Sequence, residues 1–311
     1  GAVGFLIAFE SLSRRSLRFY SGDASPKGSK RIQLSFPKGL VAALFCGSPI
    51  LAGFLLPVTL FAYKTWNHGD ERAMEMLSEL GKNSLILATV AASLAVLLGL
   101  YLSHARRVRP SLPIRMASRV SGLGYAIPGG VIAMGVLGAI LHFENGLNRV
   151  FESLFSWSPG FFFSGSIAAL IVAYQTRFLS VSLGVIQAGM TRIHPDLDSV
   201  SRTLGKSGFA ILSKVHLPIL KRTLLCAFML VFVDVLKELP ATLILRPFNF
   251  DTLAVRVYQL ASDERLDEAS TAAIAIIATG IIPVILLSRL MSRGQLIETP
   301  FRQTQGRRNH D

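Results

Sequence analysis

The sequence predicts an all-α fold, a polytopic helix bundle that crosses a membrane. Three observations predict it. Of the 311 residues, 51% are hydrophobic and only 16% are charged, against about 25% charged in soluble domains. Six stretches are long and apolar enough to span a bilayer, which takes about 20 residues: 38–63, 84–102, 120–142, 162–187, 223–245 and 271–288. The basic residues also alternate along the chain. Connections 10–38, 104–119, 191–222 and 289–311 hold 23 of the 32 Lys and Arg, whereas 64–82, 143–161 and 246–268 hold 7, with 11 of the 19 Asp and Glu. Lys and Arg accumulate in cytoplasmic loops and set orientation. The first group, and with it the C-terminus, is therefore expected in the cytoplasm. The same segregation explains the net charge of +13 by loops beside membrane lipid, so no nucleic acid is expected as a partner.

Taken in order, residues 1–10 read as the end of a preceding span. Position 1 is Gly rather than Met, and no basic region followed by an apolar core and a cleavage site marks a signal peptide. Gly1 is therefore expected to lie inside a longer protein. Residues 11–37 contain SGDASPKGSKR, which has no apolar period and the composition of a flexible linker. They read as a basic cytoplasmic junction between two membrane halves. Residues 38–292 form the six-span unit, with a core at about 79–289, and 293–311 form a cytoplasmic tail. Cys46 and Cys226 fall within apolar spans and lack metal-ligand spacing. They read as small buried hydrophobes.

Several spans are interrupted. Pro128-Gly129-Gly130 breaks the third, Glu238-Leu239-Pro240 the fifth, and Gly280 with Pro283 the sixth. Such breaks are tolerated at membrane depth where the backbone is buried in protein or lines a wet cavity. Three of them favour a translocation path. Between the third and fourth spans, NGLNRVFESLFS (145–156) places Leu147, Val150, Phe151, Leu154 and Phe155 on one helical face. It is expected as a separate short helix on the outer membrane surface, either shielding a cavity mouth or simply packing.

Segment 196–218 is polar and basic between two apolar runs. It reads as a docking element: a short helix, a hinge at Gly205, a second short helix and a stop at Pro218. Gly permits a sharp turn because it lacks Cβ, and Pro suits the first turn of the next helix. A membrane protein that presents such a lever to the cytoplasm is expected to be driven by another protein.

Four ionisable residues lie inside spans: Arg177, Asp234, Lys237 and Glu238. Each costs about 2.5–3.5 kcal/mol at a helix centre, so such residues face a bundle interior or water. Asp234 and Glu238 are spaced i,i+4 and Lys237 is i,i+3 from Asp234, which allows local neutralisation. Two readings stay open. The cluster, with Pro240, forms a gate or cavity wall toward the outer half of the membrane, or it pairs with itself to steady the kink. Arg177 either lines the path or extends toward the inner face.

Catalytic chemistry finds no support. Gly205-Lys206-Ser207 copies the end of a phosphate-binding loop, but position 200 is Val where the motif needs Gly, and no strand precedes it. The six His residues are scattered, and neither HExxH nor GxSxG occurs. The acidic run 263–268 reads as a solvated loop that could meet a cation or a basic protein face. No cofactor is expected on this chain, and any ATP belongs to a partner.

Ser201-Arg202-Thr203-Leu204-Gly205, nine residues, then Val215-His216-Leu217-Pro218 resembles the EAA loop of binding-protein-dependent ABC importer permeases. The Gly and Leu-Pro spacing matches without a gap. The EAA triplet departs: Asp198-Ser199-Val200-Ser201 stands where the family has Glu-Glu-Ala-Ala, with Asp198 in place of one acidic residue. Asn83-Ser84-Leu85 and Gly124 to Gly129 are similar to other family signatures, and residues 233–270 resemble the ferric-iron subfamily. The resemblance covers the six-span unit and implies a type I importer transmembrane domain in a bacterial inner membrane. In that family one chain carries two fused halves of about six spans each, and this sequence resembles the second. The first half, a periplasmic or lipoprotein binding protein and two copies of a cytoplasmic ABC ATPase are then the implied partners. Asp198, Ser199, Ser201, Gly205, Leu217 and Pro218 are the implied ATPase-coupling residues. The substrate would be ferric iron, or thiamine, polyamine or sulfate in sibling permeases. An ion-coupled secondary transporter would also explain the intramembrane charges, but not the EAA-like spacing. A membrane enzyme would need a catalytic set that the sequence lacks.

Overall fold

A computed structural model describes residues 34–68 and 71–295. The stub 1–10, most of the linker 11–37 and most of the tail 293–311 lie outside the described residues. Every regular element among the described residues is helical.

The described residues divide into two compact units, one up to Leu60 and one from Phe61. Helix α1 (Phe36–Ile50) starts behind Ser35 and passes through a π-helical turn, Leu51–Leu55, into α2 (Leu56–His68), within which the boundary falls. The second unit holds α3 (Glu71–Val108), α4 (Leu112–Ser121), a 3₁₀ turn (Gly124–Ala126), α5 (Gly129–Phe155) and α6 (Ile167–Met190). There follow α7 (Pro195–Thr203), α8 (Gly208–Ile211), a π turn (Leu212–His216), α9 (Leu217–Leu236), α10 (Pro240–Leu245), α11 (Leu253–Ser262) and α12 (Leu266–Gln295).

Both π turns end just before a proline, Pro57 or Pro218. A proline ring collides with the carbonyl four residues back in a regular helix. Here that residue is Gly53 or Lys214, each inside the widened turn. The chain therefore does not stop at Pro218, as the sequence suggested. It runs on as helix from α8 into α9.

Five segments among the described residues are long and apolar enough to cross a membrane: Phe36–Asn67, Leu77–Val108, Gly129–Phe155, Ile167–Met190 and Leu266–Leu286. The expected span at 223–245 is not one helix, because α9 ends at Leu236 and α10 begins at Pro240. A continuous helix would set the Pro240 ring against the Leu236 carbonyl. The expected span at 120–142 begins as a helix only at Gly129. The separate surface helix expected at 145–156 is absent, since those residues are the last turns of α5. Glu144 explains the continuity. It is fully buried, and its Oε1 accepts the backbone N–H groups of Phe162, Phe163 and Ser164 at 2.8, 2.5 and 3.2 Å. The helix and the loop that follows it are thereby locked together past Asn145-Gly146. The 27 residues of α5 extend about 40 Å at 1.5 Å per residue, beyond a hydrocarbon core of about 30 Å.

The core of the second unit is the mutual packing of α3, α6 and α9, with α5 and α10 closing one side. Small residues allow it. Ala88, Ala91, Ala92 and Ala95 are buried along α3, and a Cβ on Gly99 would stand 2.8 Å from Ser182 Oγ. Ser182 Oγ in turn donates to the Ala95 carbonyl at 2.7 Å. Close backbone approach through small residues is how helices associate where burial from water cannot drive them together.

Candidate functional site

Two polar constellations stand out in the second unit. The first roots segment 196–218. Helix α7 starts at His194, whose ring accepts the Asp196 N–H, with Pro195 at the first helical position. Acidic Asp196 and Asp198 lie in the first turn, where the helix dipole favours them. The helix ends at Thr203, and Gly205 just beyond it has φ +75° and open space around its Cβ position. The turn expected at Gly205 is present.

Asp198 turns inward, with its side chain 13% exposed. Its Oδ2 accepts from Arg107 Nε at 2.6 Å and its Oδ1 pairs with His216 Nε2 at 2.8 Å. His216 is fully buried, and its Nδ1 lies 3.2 Å from Nδ1 of His104. The remaining Arg107 N–H groups reach the carbonyls of Met190, Ile193 and His194 at 2.8, 3.0 and 3.2 Å, which follow the end of α6. Burial alone would push the Asp198 carboxyl up. The hydrogen bonds from Arg107 and His216 outweigh it and hold the carboxyl below its ordinary pKa.

The other residues singled out in this segment do not join Asp198. Ser201 is buried and donates to the Leu197 carbonyl of its own helix at 2.6 Å. Ser199, Leu217 and Pro218 are exposed. Four apolar side chains face outward, Leu197, Val200, Leu204 and Phe209, at 43, 55, 71 and 79% exposed, beside exposed Asp196, Ser199, Arg202 and Thr203. Reading the sequence missed Arg107, His104 and His216. Arg107 counted only as a loop cation, and His216 occupies the variable position of Val215-His216-Leu217-Pro218.

The second constellation sits at the break between α9 and α10. Glu238 lies beyond the end of α9, so it does not share a helical face with Asp234 as the spacing suggested. The four charges form two pairs. Lys237 Nζ meets Asp234 Oδ1 at 2.9 Å, while Glu238 Oε1 accepts from Arg177 Nη1 at 3.0 Å. The Glu238 side chain is 7% exposed and that of Arg177 20%. Arg177 belongs to the middle of α6, and its guanidinium turns to Glu238. Its guanidinium carbon stands 5.9 Å from the Tyr125 ring centre and 5.6 Å from that of Phe178.

Glycines make room for this pair. A Cβ on Gly129 would overlap Arg177 Nη1 and Glu238 Oε1, and one on Gly124 would overlap the Thr176 carbonyl oxygen. Pro240 opens α10, and the Ala241 N–H reaches Glu238 Oε1 at 3.4 Å. Thr242 Oγ1 donates to the Glu238 carbonyl at 2.7 Å, so the Tyr174 hydroxyl 2.6 Å away must donate to Thr242. The break is thus tied to α6 by an ion pair and a hydroxyl chain. Among the described residues, no three His, Cys, Asp or Glu side chains gather as a metal site.

Comparison with known proteins adds four findings. Residues 95–296 match the family described as binding-protein-dependent transport system inner membrane component. The chain is 28% identical over 299 residues to the Fe(3+)-transport system permease protein FbpB 2 of Haemophilus influenzae, covering 93% of this chain and 55% of that protein. It is 24% identical over 210 residues to the putative 2-aminoethylphosphonate transport system permease protein PhnV of Salmonella typhimurium, covering 68% of this chain and 73% of the relative. The chain spans about half the length of the ferric relatives, 55% of one and 41% of another. Among solved structures, a chain of a bacterial alginate ABC transporter, crystallised with an alginate pentasaccharide-bound periplasmic protein, superposes with a TM-score of 0.62 at 15% identity. The match covers 83% of this chain and 95% of that one. This likeness concerns the fold.

Proposed function

We propose, because this chain belongs to the binding-protein-dependent transport system inner membrane component family, that it is the membrane-spanning half of an ATP-driven importer for ferric iron. The observation that carries this reading is the 28% identity to a ferric permease over 93% of the chain. It stands beside a hinged, apolar-faced segment at 196–218, inside the family match.

In this reading a binding protein delivers iron to the outer face. The first half of the permease supplies the other wall of the path, and two ATPase copies clasp the cytoplasmic segments. Leu197, Val200, Leu204 and Phe209 offer the ATPase an apolar docking face, with Gly205 as its hinge. ATP is bound and hydrolysed on that partner. Arg177, Glu238 and Pro240, with the Asp234–Lys237 pair, form a wall of the path or its gate. The Lys and Arg distribution supports a cytoplasmic C-terminus and a cytoplasmic segment 196–218. Ser207→Cys and Ser262→Cys, labelled from one side of the membrane, are expected to report opposite faces.

The relative named for 2-aminoethylphosphonate, 73% of which is covered, supplies the second reading of the cargo. The test is uptake of labelled ferric iron and of labelled 2-aminoethylphosphonate into vesicles holding the full-length permease, its ATPase and its receptor. Iron uptake that needs hydrolysable ATP and survives a protonophore supports the proposal. Uptake of the phosphonate alone would reassign the cargo. Uptake driven by an ion gradient without ATP would overturn the importer reading.

A further inference from the structure

We propose that Arg107, Asp198, His216 and His104 form the joint through which movement of segment 196–218 enters the membrane, and that α3 is the helix it moves. This rests on the importer reading above and adds the route of transmission.

The hydrogen-bond directions make the joint a closed ring. Asp198 uses both carboxylate oxygens, one toward Arg107 and one toward His216. An ionised carboxylate only accepts, so His216 Nε2 carries a proton. His216 Nδ1 and His104 Nδ1 share a hydrogen bond at 3.2 Å, whose donor is set by the ring tautomers. The ring leaves α3 at His104, crosses the π turn at His216, passes through α7 at Asp198 and returns to α3 at Arg107. His104 and Arg107 are spaced i,i+3 and lie on neighbouring positions of one helical face. Arg107 also binds the three carbonyls from Met190 to His194, so one guanidinium joins α3, the end of α6 and α7. The second short helix adjoins as well: a Cβ on Gly208 would stand 3.9 Å from Val108 Cγ1 and 4.0 Å from His104 Nε2.

The two sides of the segment differ in chemistry. Its outward side exposes Leu197, Val200, Leu204 and Phe209 among polar residues, whereas Asp198 turns inward, largely buried, with both carboxylate oxygens paired. An acidic residue meant to bond a soluble partner would project outward. This one is spent on α3. The alternative route, straight along the chain into α9, runs through the π turn at Leu212–His216. That route must also pass the turn at Gly205, whereas the Arg107–Asp198 contact joins α7 to α3 directly.

The experiment uses the full-length transporter with its ATPase and receptor in vesicles. Iron taken up per ATP hydrolysed is measured, together with membrane abundance and ATPase retention. Asp198→Asn and Arg107→Gln are each expected to lower uptake per ATP about fivefold or more, within the usual range of intersite coupling. ATPase retention should persist. The double variant should be no worse than either single, and Asp198→Glu should recover part of the loss. A second measurement remains decisive if these variants fold poorly. Val108→Cys with Gly208→Cys, in a background with Cys46 and Cys226 replaced by Ser, cross-links α3 to α8. If the two move as one body, oxidised protein transports as well as reduced protein.

An unchanged ratio, a fall in abundance alone, loss of ATPase retention in Asp198→Asn, or transport blocked by the cross-link and restored by reductant would each overturn the joint. Wild-type vesicles with no ATP-driven uptake would overturn the importer reading and the joint with it. Normal wild-type uptake with unaffected variants would overturn the joint alone.

Discussion

Replacing Glu238 by Gln tests how far the break between α9 and α10 depends on α6. Gln keeps an oxygen where Oε1 accepts from Arg177 at 3.0 Å and from the Ala241 N–H at 3.4 Å. What it removes is the charge, leaving a guanidinium only 20% exposed without its counter-ion. Breaking a buried ion pair by deleting one member costs about 3–5 kcal/mol. The retained acceptor lowers that figure. So do the Tyr125 and Phe178 rings, at about 0.5–1 kcal/mol for each cation–π contact. A cost of about 2 kcal/mol follows, roughly a 30-fold change in an equilibrium constant at 1.4 kcal/mol per factor of ten.

If the pair is the cause, removing Arg177 as well removes the stranded charge. Glu238→Gln with Arg177→Gln should then be less damaging than the sum of the singles by about 1–2 kcal/mol, as for side chains in direct contact. The assay is an unfolding midpoint for the four purified proteins, with uptake per molecule measured in vesicles. Additivity within about 0.5 kcal/mol would refute the reasoning. The uptake measurement separates the two readings of the site. A gate predicts that transport per molecule changes in Glu238→Gln, whereas a purely structural pair predicts that uptake falls only as abundance falls.

Three other outcomes are expected. Gly129→Ala and Gly124→Ala drive a methyl into the Arg177–Glu238 pair and the Thr176 carbonyl. Each should lower stability by about 1–3 kcal/mol, the range for overpacking, and Gly135→Ala, whose Cβ position is open, should not; membrane abundance reports the difference. Gly205→Trp places a large ring in open space at φ +75°, a local strain of about 1–2 kcal/mol. The permease should insert yet lose its ATPase, and normal uptake would mean that 196–218 is an ordinary loop. The Asp198 carboxyl lies below its ordinary value in the folded state, so its contribution is present above the unfolded pKa of about 3.9 and is lost as pH falls through the lower folded value. Hydrogen exchange in 195–203 should therefore stay slow from neutrality down to about pH 4 and quicken only below it; loss of protection at pH 6 would show that another group controls the segment.

What could be read from the sequence was what depends on near neighbours. Gly205 sits where a hinge was expected because a positive φ is a property of one residue and its turn. Pro128 and Pro240 mark real breaks because a proline restricts its own position and the four before it; the break expected at Gly280 and Pro283 is absent, since α12 runs through both. What escaped depends on distance in the chain. Arg177 and Glu238 are 61 positions apart, and nothing in the spacing around Glu238 favours Arg177 over the nearby Lys237. The end of α9 at Leu236 decides it, by turning Glu238 away from the Asp234 face. Asn145-Gly146 looked like a helix end, but Glu144 beside it is held by three N–H groups from residues 162–164. Arg107, His104 and His216 were legible only as loop cations or scattered histidines until the fold closed them around Asp198.

The two constellations meet on one helix. Met190, whose carbonyl binds Arg107, closes α6, and Arg177 lies on the same helix about 20 Å away by helical rise. Between them Gln187 donates to Ser118 at 2.8 Å and Ser182 donates to the Ala95 carbonyl at 2.7 Å, which fastens α6 to α4 and α3. A shift of α3 at its Arg107 end therefore cannot leave α6 behind without breaking bonds at Met190 and Ser182 together. Because Glu238 is held by Arg177 and its carbonyl by the Tyr174–Thr242 chain, the same displacement reaches the broken segment between α9 and α10. Spatial continuity alone does not establish coupling; an element with two arrangements, biased from both ends, is also required. The break at 237–239 is where the helical ladder is interrupted, so a second arrangement there requires fewer broken backbone hydrogen bonds than one in the middle of α3 or α6.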